Sequence, residues 1–179
     1  MLSAQPIGIG PDAVDEVKAS LRIHNGDEDA LVGGLLGSAA GLCEQFTGRA
    51  LLRRAFTEVI AASAVWTRLE ACPVQAIVGV DLLGPDGAAE LLGASDYAVD
   101  IDAAGEGWVR LTGAVHSGRV RVRYEAGLAS TWAELPEALR HGIVRLAAHL
   151  YGQRDRPEDA GPPAAVTALW RPWRRLRLR

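Results

Sequence analysis

The period of the hydrophobic pattern changes twice along this chain, and those two changes constrain its fold more than any motif does. Between Ala50 and Gly127 apolar residues recur at every second position. The segments "RAFTEVIA", "QAIVGVDLL", "AELL", "DYAVD", "GWVRLTG" and "GRVRVRYEAG" read as short strands separated by turn residues. "LLGPDGA" carries the Pro-Asp-Gly chemistry of a tight reversal joining two antiparallel strands. On either side the period is helical. "PDAVDEVKASLRI", Pro11 to Ile23, starts with proline and acids and sets Val14, Val17 and Leu21 on one face. After "HNGDED", Asp27 can cap a second helix running to about Thr47 and burying Leu31, Leu35, Leu42, Cys43 and Phe46. Pro136 opens a third helix, "PEALRHGIVRLAAHLYGQR", with Leu139, Ile143, Leu146, Ala147 and Leu150 as its apolar stripe. "AAVTALW" is a short last helix stopped before Pro172.

The expected class is therefore α+β: an N-terminal helical pair over about 11–48, an antiparallel β-rich section over about 50–127, and a helix over about 136–154 with a short terminal helix and tail. Residues 1–160 are expected to form one domain and 161–179 a basic tail. The charge supports that division. All 22 acids lie in 1–160 beside 14 bases, a net of −8, whereas the end from Arg171 onward carries +5. "MLSAQPIGIG" lacks the layout of a signal peptide and reads as a flexible arm. Ala30–Cys43 is too short to span a bilayer. Cys43 and Cys72 show no close-spaced ligand pattern, so reduced, buried thiols are expected.

Chemistry is sparsely signalled. His141, Arg145 and His149 fall near one side of the third helix, opposite its apolar stripe, without a third metal ligand; a solvated or interfacial side is the reading. His24 and His116 stand apart. "DIDAAGE", Asp100 to Glu106, lacks the ligand set of a calcium loop, with Leu111 where a bidentate Glu belongs. The glycines of "PIGIGPD" follow no strand, and no serine sits in a nucleophile elbow. No enzyme and no cofactor are expected.

Three features point to surfaces instead. Gly33, Gly37 and Gly41 recur every four residues, at a cost of roughly 1 kcal/mol each against alanine. Such a line lets another backbone approach, inside the domain or from a neighbouring copy. Arg119, Arg121 and Arg123 face one way from "RVRVRY" and Val120, Val122 and Tyr124 the other. The arginine row is either a phosphate or acidic-partner contact or the polar face of a half-buried sheet. Last comes "WRPWRRLRLR". Val166, Leu169, Trp170 and Trp173 follow helical spacing up to the proline, and "RLRLR" then alternates strictly.

The order of these pieces resembles the head–tail connector (adaptor) proteins of long-tailed bacteriophages, prophages and phage-like gene transfer agents. The residues that carry the resemblance are the early "VK…LRI" helix, the "DEDAL" helix start, "EQFTGRAL", "YEAGL", and "LPEALRHGIVRLAAHLY" followed by Arg154, over roughly residues 12–155. The glycines of the second helix and the arginine-rich last nine residues depart from it. The resemblance implies a structural subunit of a ring, twelve copies beneath the portal protein, with a tail-side neck or stopper protein below. DNA would pass through the lumen without sequence-specific binding. It implies a particle neck assembled in a bacterial cytoplasm, and no membrane.

On that reading Gly33, Gly37, Gly41, His141, Arg145 and His149 are candidate subunit-interface residues. Val166, Leu169, Trp170, Trp173, Arg174, Arg175, Leu176, Arg177, Leu178 and Arg179 are candidates to dock on the portal, because Trp and Arg bury large areas while keeping polar contacts. The alternative is a nucleic-acid-binding module using Arg119, Arg121, Arg123 and the tail.

Overall fold

The computed structural model describes residues 1–113, 118–153 and 162–175. The α+β class holds, with helices and antiparallel strands in the expected order. The chain divides into two compact units, each built from two separated segments: 1–6 with 53–128, and 7–52 with 129–179. In this division residues 161–179 group with 7–52 and 129–160. The short last helix belongs to the helical unit.

Among its described residues the first unit holds eight strands: β1 (Leu2–Ala4), β2 (Arg54–Ala61), β3 (Thr67–Arg68), β4 (Val74–Leu83), β5 (Ala89–Leu91), β6 (Tyr97–Ile101), β7 (Gly107–Leu111) and β8 (Arg119–Ala126). Five form one sheet in the order β1-β2-β8-β4-β5, and three form another in the order β3-β7-β6. All strand pairs are antiparallel. Two of these strands differ from expectation. β1 takes the place of a flexible arm, pairing Leu2 with Glu58 and Ala4 with Phe56, because the outer side of β2 otherwise leaves its backbone donors and acceptors unpaired. β3 is two residues long, too short to leave a period.

The register of β2 on β8 sets Phe56 opposite Tyr124, Glu58 opposite Val122 and Ile60 opposite Val120. Val120, Val122 and Tyr124 are all buried, and the Phe56 and Tyr124 rings stack at 5.6 Å. Burying a Val, Leu or Phe side chain in this way contributes about 1.5–3 kcal/mol each. β4 slips in register between Ile77 and Gly79, a bulge that turns Val78 outward to 60% exposure.

The second unit holds α1 (Pro11–Leu21), α2 (Asp29–Thr47), α3 (Glu137–Gly152), α4 (Ala164–Trp170) and a 3-10 turn over Arg171–Trp173. α1 buries Ala13 and Val17, with Val14 and Leu21 half-buried, and stops at Arg22 in the left-handed region. α2 buries Val32, Leu36, Ala39, Ala40, Cys43 and Thr47. That corrects the expected face: Leu31 is exposed, and Leu35, Leu42 and Phe46 are half-buried. Nor does Asp27 cap the helix. Glu28 holds the cap position, and the Asp27 carboxylate instead accepts from the Asn25 amide at 2.9 Å. In α3, Leu139, Ile143, Leu146 and Ala147 are buried as their spacing requires, and Leu150 is half-buried.

Candidate functional site

The basic end is built onto the helical unit from within. α4 turns Val166 and Trp170 inward, at 1% and 0% exposure. Trp170 lies against α3 where Gly142 offers no side chain; a Cβ there would run into the indole. Its ring sits 5.9 Å from that of Phe46, and its Nε1–H points at the Leu139 carbonyl at 3.4 Å. After the 3-10 turn the backbone N–H of Arg175 donates to the Thr47 carbonyl at 2.7 Å. Arg49 Nε donates to the Trp173 carbonyl at 3.0 Å, and the Arg174 guanidinium stands 5.8 Å over the Phe46 ring. The chain's end therefore satisfies one of the carbonyls that the C-terminus of α2 leaves open, and brings positive charge to that negative helix end.

This placement sorts the ten expected docking residues. Val166 and Trp170 are corrected to internal anchors, since their side chains are already covered by their own unit. Leu169, Trp173 and Arg175 are half-buried and Arg174 is exposed. Leu176, Arg177, Leu178 and Arg179 lie outside the described residues. The outer surface here consists of Leu169, Arg171, Pro172, Trp173 and Arg174. Of the anchoring partners, Phe46 is expected from its helical spacing to face inward, whereas the only sequence signal for Arg49 or Gly142 is a glycine inside a helix.

On β8 the alternation is as expected, with the arginines opposite the buried Val120, Val122 and Tyr124. Two arginines have an acid of their own chain. Asp81 on β4, its side chain 6% exposed, accepts from Arg121 Nε at 2.9 Å and from Arg123 Nη2 at 3.1 Å. A Cβ at Gly79 would meet that Arg123 nitrogen, so the glycine leaves the guanidinium room to lie across β4. A carboxylate so buried needs cationic partners, and it holds both arginines in place. Arg119 alone of the row is exposed.

On α3, His141 and Arg145 are exposed and His149 is half-buried. Along α2 a Cβ at Gly33 would come 3.9 Å from Val14, and at Gly37 or Gly41 it would meet nothing within 4 Å. Among the described residues, no other element comes within 4 Å of a Cβ at the last two glycines.

The perturbed titratable groups serve packing. Burial, with Glu58 beside it, pushes the Tyr124 phenol well above its ordinary range. Its hydroxyl donates to Glu58 Oε2 at 2.9 Å and accepts the Ala71 N–H at 3.2 Å. Burial, and secondarily Glu44, likewise raises the Cys43 thiol. The Asp102 carboxylate closes its own turn, accepting the N–H groups of Ala104 and Glu106 at 2.9 Å each. Among the described residues no three His, Cys, Asp or Glu side chains are grouped to hold a metal, and no helix is long and apolar enough to cross a membrane. His116 lies outside the described residues.

No family model and no curated protein matches the chain. Solved structures do, over its whole length. A chain from the neck of an empty gene transfer agent particle, computed with C6 symmetry, is 26% identical with a TM-score of 0.80. A chain from the virion of a native gene transfer agent particle is 27% identical with a TM-score of 0.79. A third, from the neck of a native particle computed with C12 symmetry, is 26% identical with a TM-score of 0.74. Each match covers 100% of this chain and 97% of the other. The likeness to connectors of phage-like particles read from the residues is borne out by these neighbours.

Proposed function

We propose that this chain is a structural connector subunit of the neck of a phage-like particle. The observation that carries the reading is the full-length likeness to chains of gene transfer agent particles, two of them from necks. Such a part works by shape and placement, and the polar groups described above are used accordingly: they close turns, pair strands and cap helices.

The finer reading is a ring, twelve copies beneath a portal protein, with a tail-side neck protein below and DNA passing through. Two observations support it. A closed ring needs two different surfaces on each subunit. The open side of Gly37 and Gly41 and the solvent side of α3, with His141, Arg145 and His149, are two surfaces that the chain's own helices leave available. The net charge of −8 over residues 1–160 also suits a passage through which phosphate must slide without sticking. Leu169, Trp173 and Arg174 are the described residues of the basic end that dock on the portal. A weak contact at each tail suffices, since many tails act together at high effective concentration. Assembly takes place in the bacterial cytoplasm.

The nucleic-acid-binding alternative has no observation in its favour, and Arg121 and Arg123 already share Asp81. Native mass spectrometry of the purified chain, alone and with the portal protein of the same particle, tests the proposal. The expected result is a ring-sized assembly, or many copies joined to the portal oligomer. A monomer that ignores the portal and shifts only with DNA would contradict it.

A further inference from the structure

Among the described residues, each of the two sheets ends in strands with no further strand paired on the outer side: β1 and β5 in the larger, β3 and β6 in the smaller. β1 and β5 are three residues long and β3 is two, whereas β6 runs for five, Tyr97–Ile101. The bonds flanking the β6–β7 ladder are Thr112 N–H to Asp96 C=O at 2.9 Å and Asp102 N–H to Glu106 C=O at 3.1 Å. Even-numbered residues of β6 are therefore the ones bonded to β7. By the alternation of an antiparallel ladder, the N–H and C=O groups of Tyr97, Val99 and Ile101 aim out of the open edge.

The side chains of β6 alternate as well. Tyr97, Val99 and Ile101 stand on the same face as their partners Leu111, Val109 and Gly107. Val109 and Leu111 are buried at 2% and 3%, yet Val99 is 44% and Ile101 39% exposed, because no strand follows on their outer side. The opposite face carries Asp100, with Asp96 four residues before it and Asp102 two after it in the same alternating row. Acids on an edge repel another acidic edge and draw a basic strand.

The chain itself carries such a strand. Residues 175–179 read "RLRLR", five residues with Leu176 and Leu178 on one face and three arginines on the other. We propose that residues 175–179 of one copy add as a strand to the open edge of β6 in a second copy. The pairing rests on the ring reading, in which each subunit's donor surface meets the next subunit's acceptor. Backbone groups complete the ladder, as in other cases of strand addition. With Arg177 across from Asp100, an antiparallel strand sets Leu176 beside Ile101, Leu178 beside Val99 and Arg175 beside Asp102. A parallel one exchanges the two leucines and keeps the central ion pair. Length, faces and charge thus all match between the basic end and this edge.

The test mixes two full-length chains, one isotopically heavy with Val99→Cys or Ile101→Cys and one light with Leu178→Cys, under a mild oxidant. Native Cys43 and Cys72 are both buried and stay out of the reaction. A heavy–light disulfide is the expected product. A disulfide formed only when both substitutions lie in one chain, a bond from residue 178 to the portal alone, or no bond at all overturns the pairing. As a second arm, Asp100→Arg and Arg177→Asp should each weaken self-association by about tenfold, and the two together should restore it. Single reversals without effect, or without rescue, also overturn the proposal. The ring reading is judged separately: an unsubstituted chain that forms rings while giving no heavy–light bond loses only this pairing, and one that stays a monomer with portal present loses both.

Discussion

At the scale of single residues, what most sets this chain's behaviour is the fit of Trp170 into the space left by Gly142. The two are 28 positions apart and meet only in the fold, so spacing alone puts Trp170 on a docking surface, whereas α4 turns it inward. Trp170→Ala leaves a cavity under α4 and is expected to cost about 3–5 kcal/mol. Gly142→Ala drives a methyl group into the indole and is expected to cost about 1–3 kcal/mol by overpacking. Urea denaturation of both variants checks the pair; a Trp170→Ala chain as stable as the parent would mean that α4 does not anchor the tail. Tyr124 offers a second residue-scale test. Its phenol is raised by burial, so the folded chain holds its proton above about pH 10, where an unfolded tyrosine loses it. The unfolded state then binds fewer protons than the folded one, and stability falls as pH rises through and beyond that value. Absorbance titration should show one of the three tyrosines ionising only as the chain unfolds.

At the scale of elements, the strands were the most legible part. Period-two alternation broken by Gly, Pro and Asp locates six of the eight, and the Pro-Asp-Gly reversal between β4 and β5 stands where its chemistry puts it. Helix α2 is less legible, because a helix of Leu, Ala and Gly has apolar residues all round and its buried line falls on Val32, Leu36, Ala39 and Cys43 instead of Leu31 and Leu35. Asp81 leaves no sequence signal for a different reason. A lone acid in a strand has no period, and only the register against β8 sets it beside Arg121 and Arg123. The glycines of α2 make the element-scale prediction. Gly37 and Gly41 have nothing within 4 Å of an added methyl group and lie in regular helix. Gly37→Ala and Gly41→Ala should therefore each raise the stability of the isolated chain by roughly 0.5–1 kcal/mol. If the same face meets a neighbouring copy closely, both substitutions lower assembly while raising Tm. Assembly unchanged in the more stable variants would remove that face from the interface.

At the scale of the whole molecule, the chain is two interleaved units with its basic end fastened to the last turn of α2 up to Arg175. The sequence pattern reached this scale only through the order of many weak marks, none specific alone, and the likeness of the complete fold to gene transfer agent neck chains supplied what no single residue could. The central claim is that the chain joins head to tail. Its most direct test is electron microscopy of particles made by cells lacking this chain, with and without the chain restored from a plasmid. The account predicts heads and tails that accumulate unjoined, and joined particles on restoration. Joined particles in normal number without the chain would contradict it.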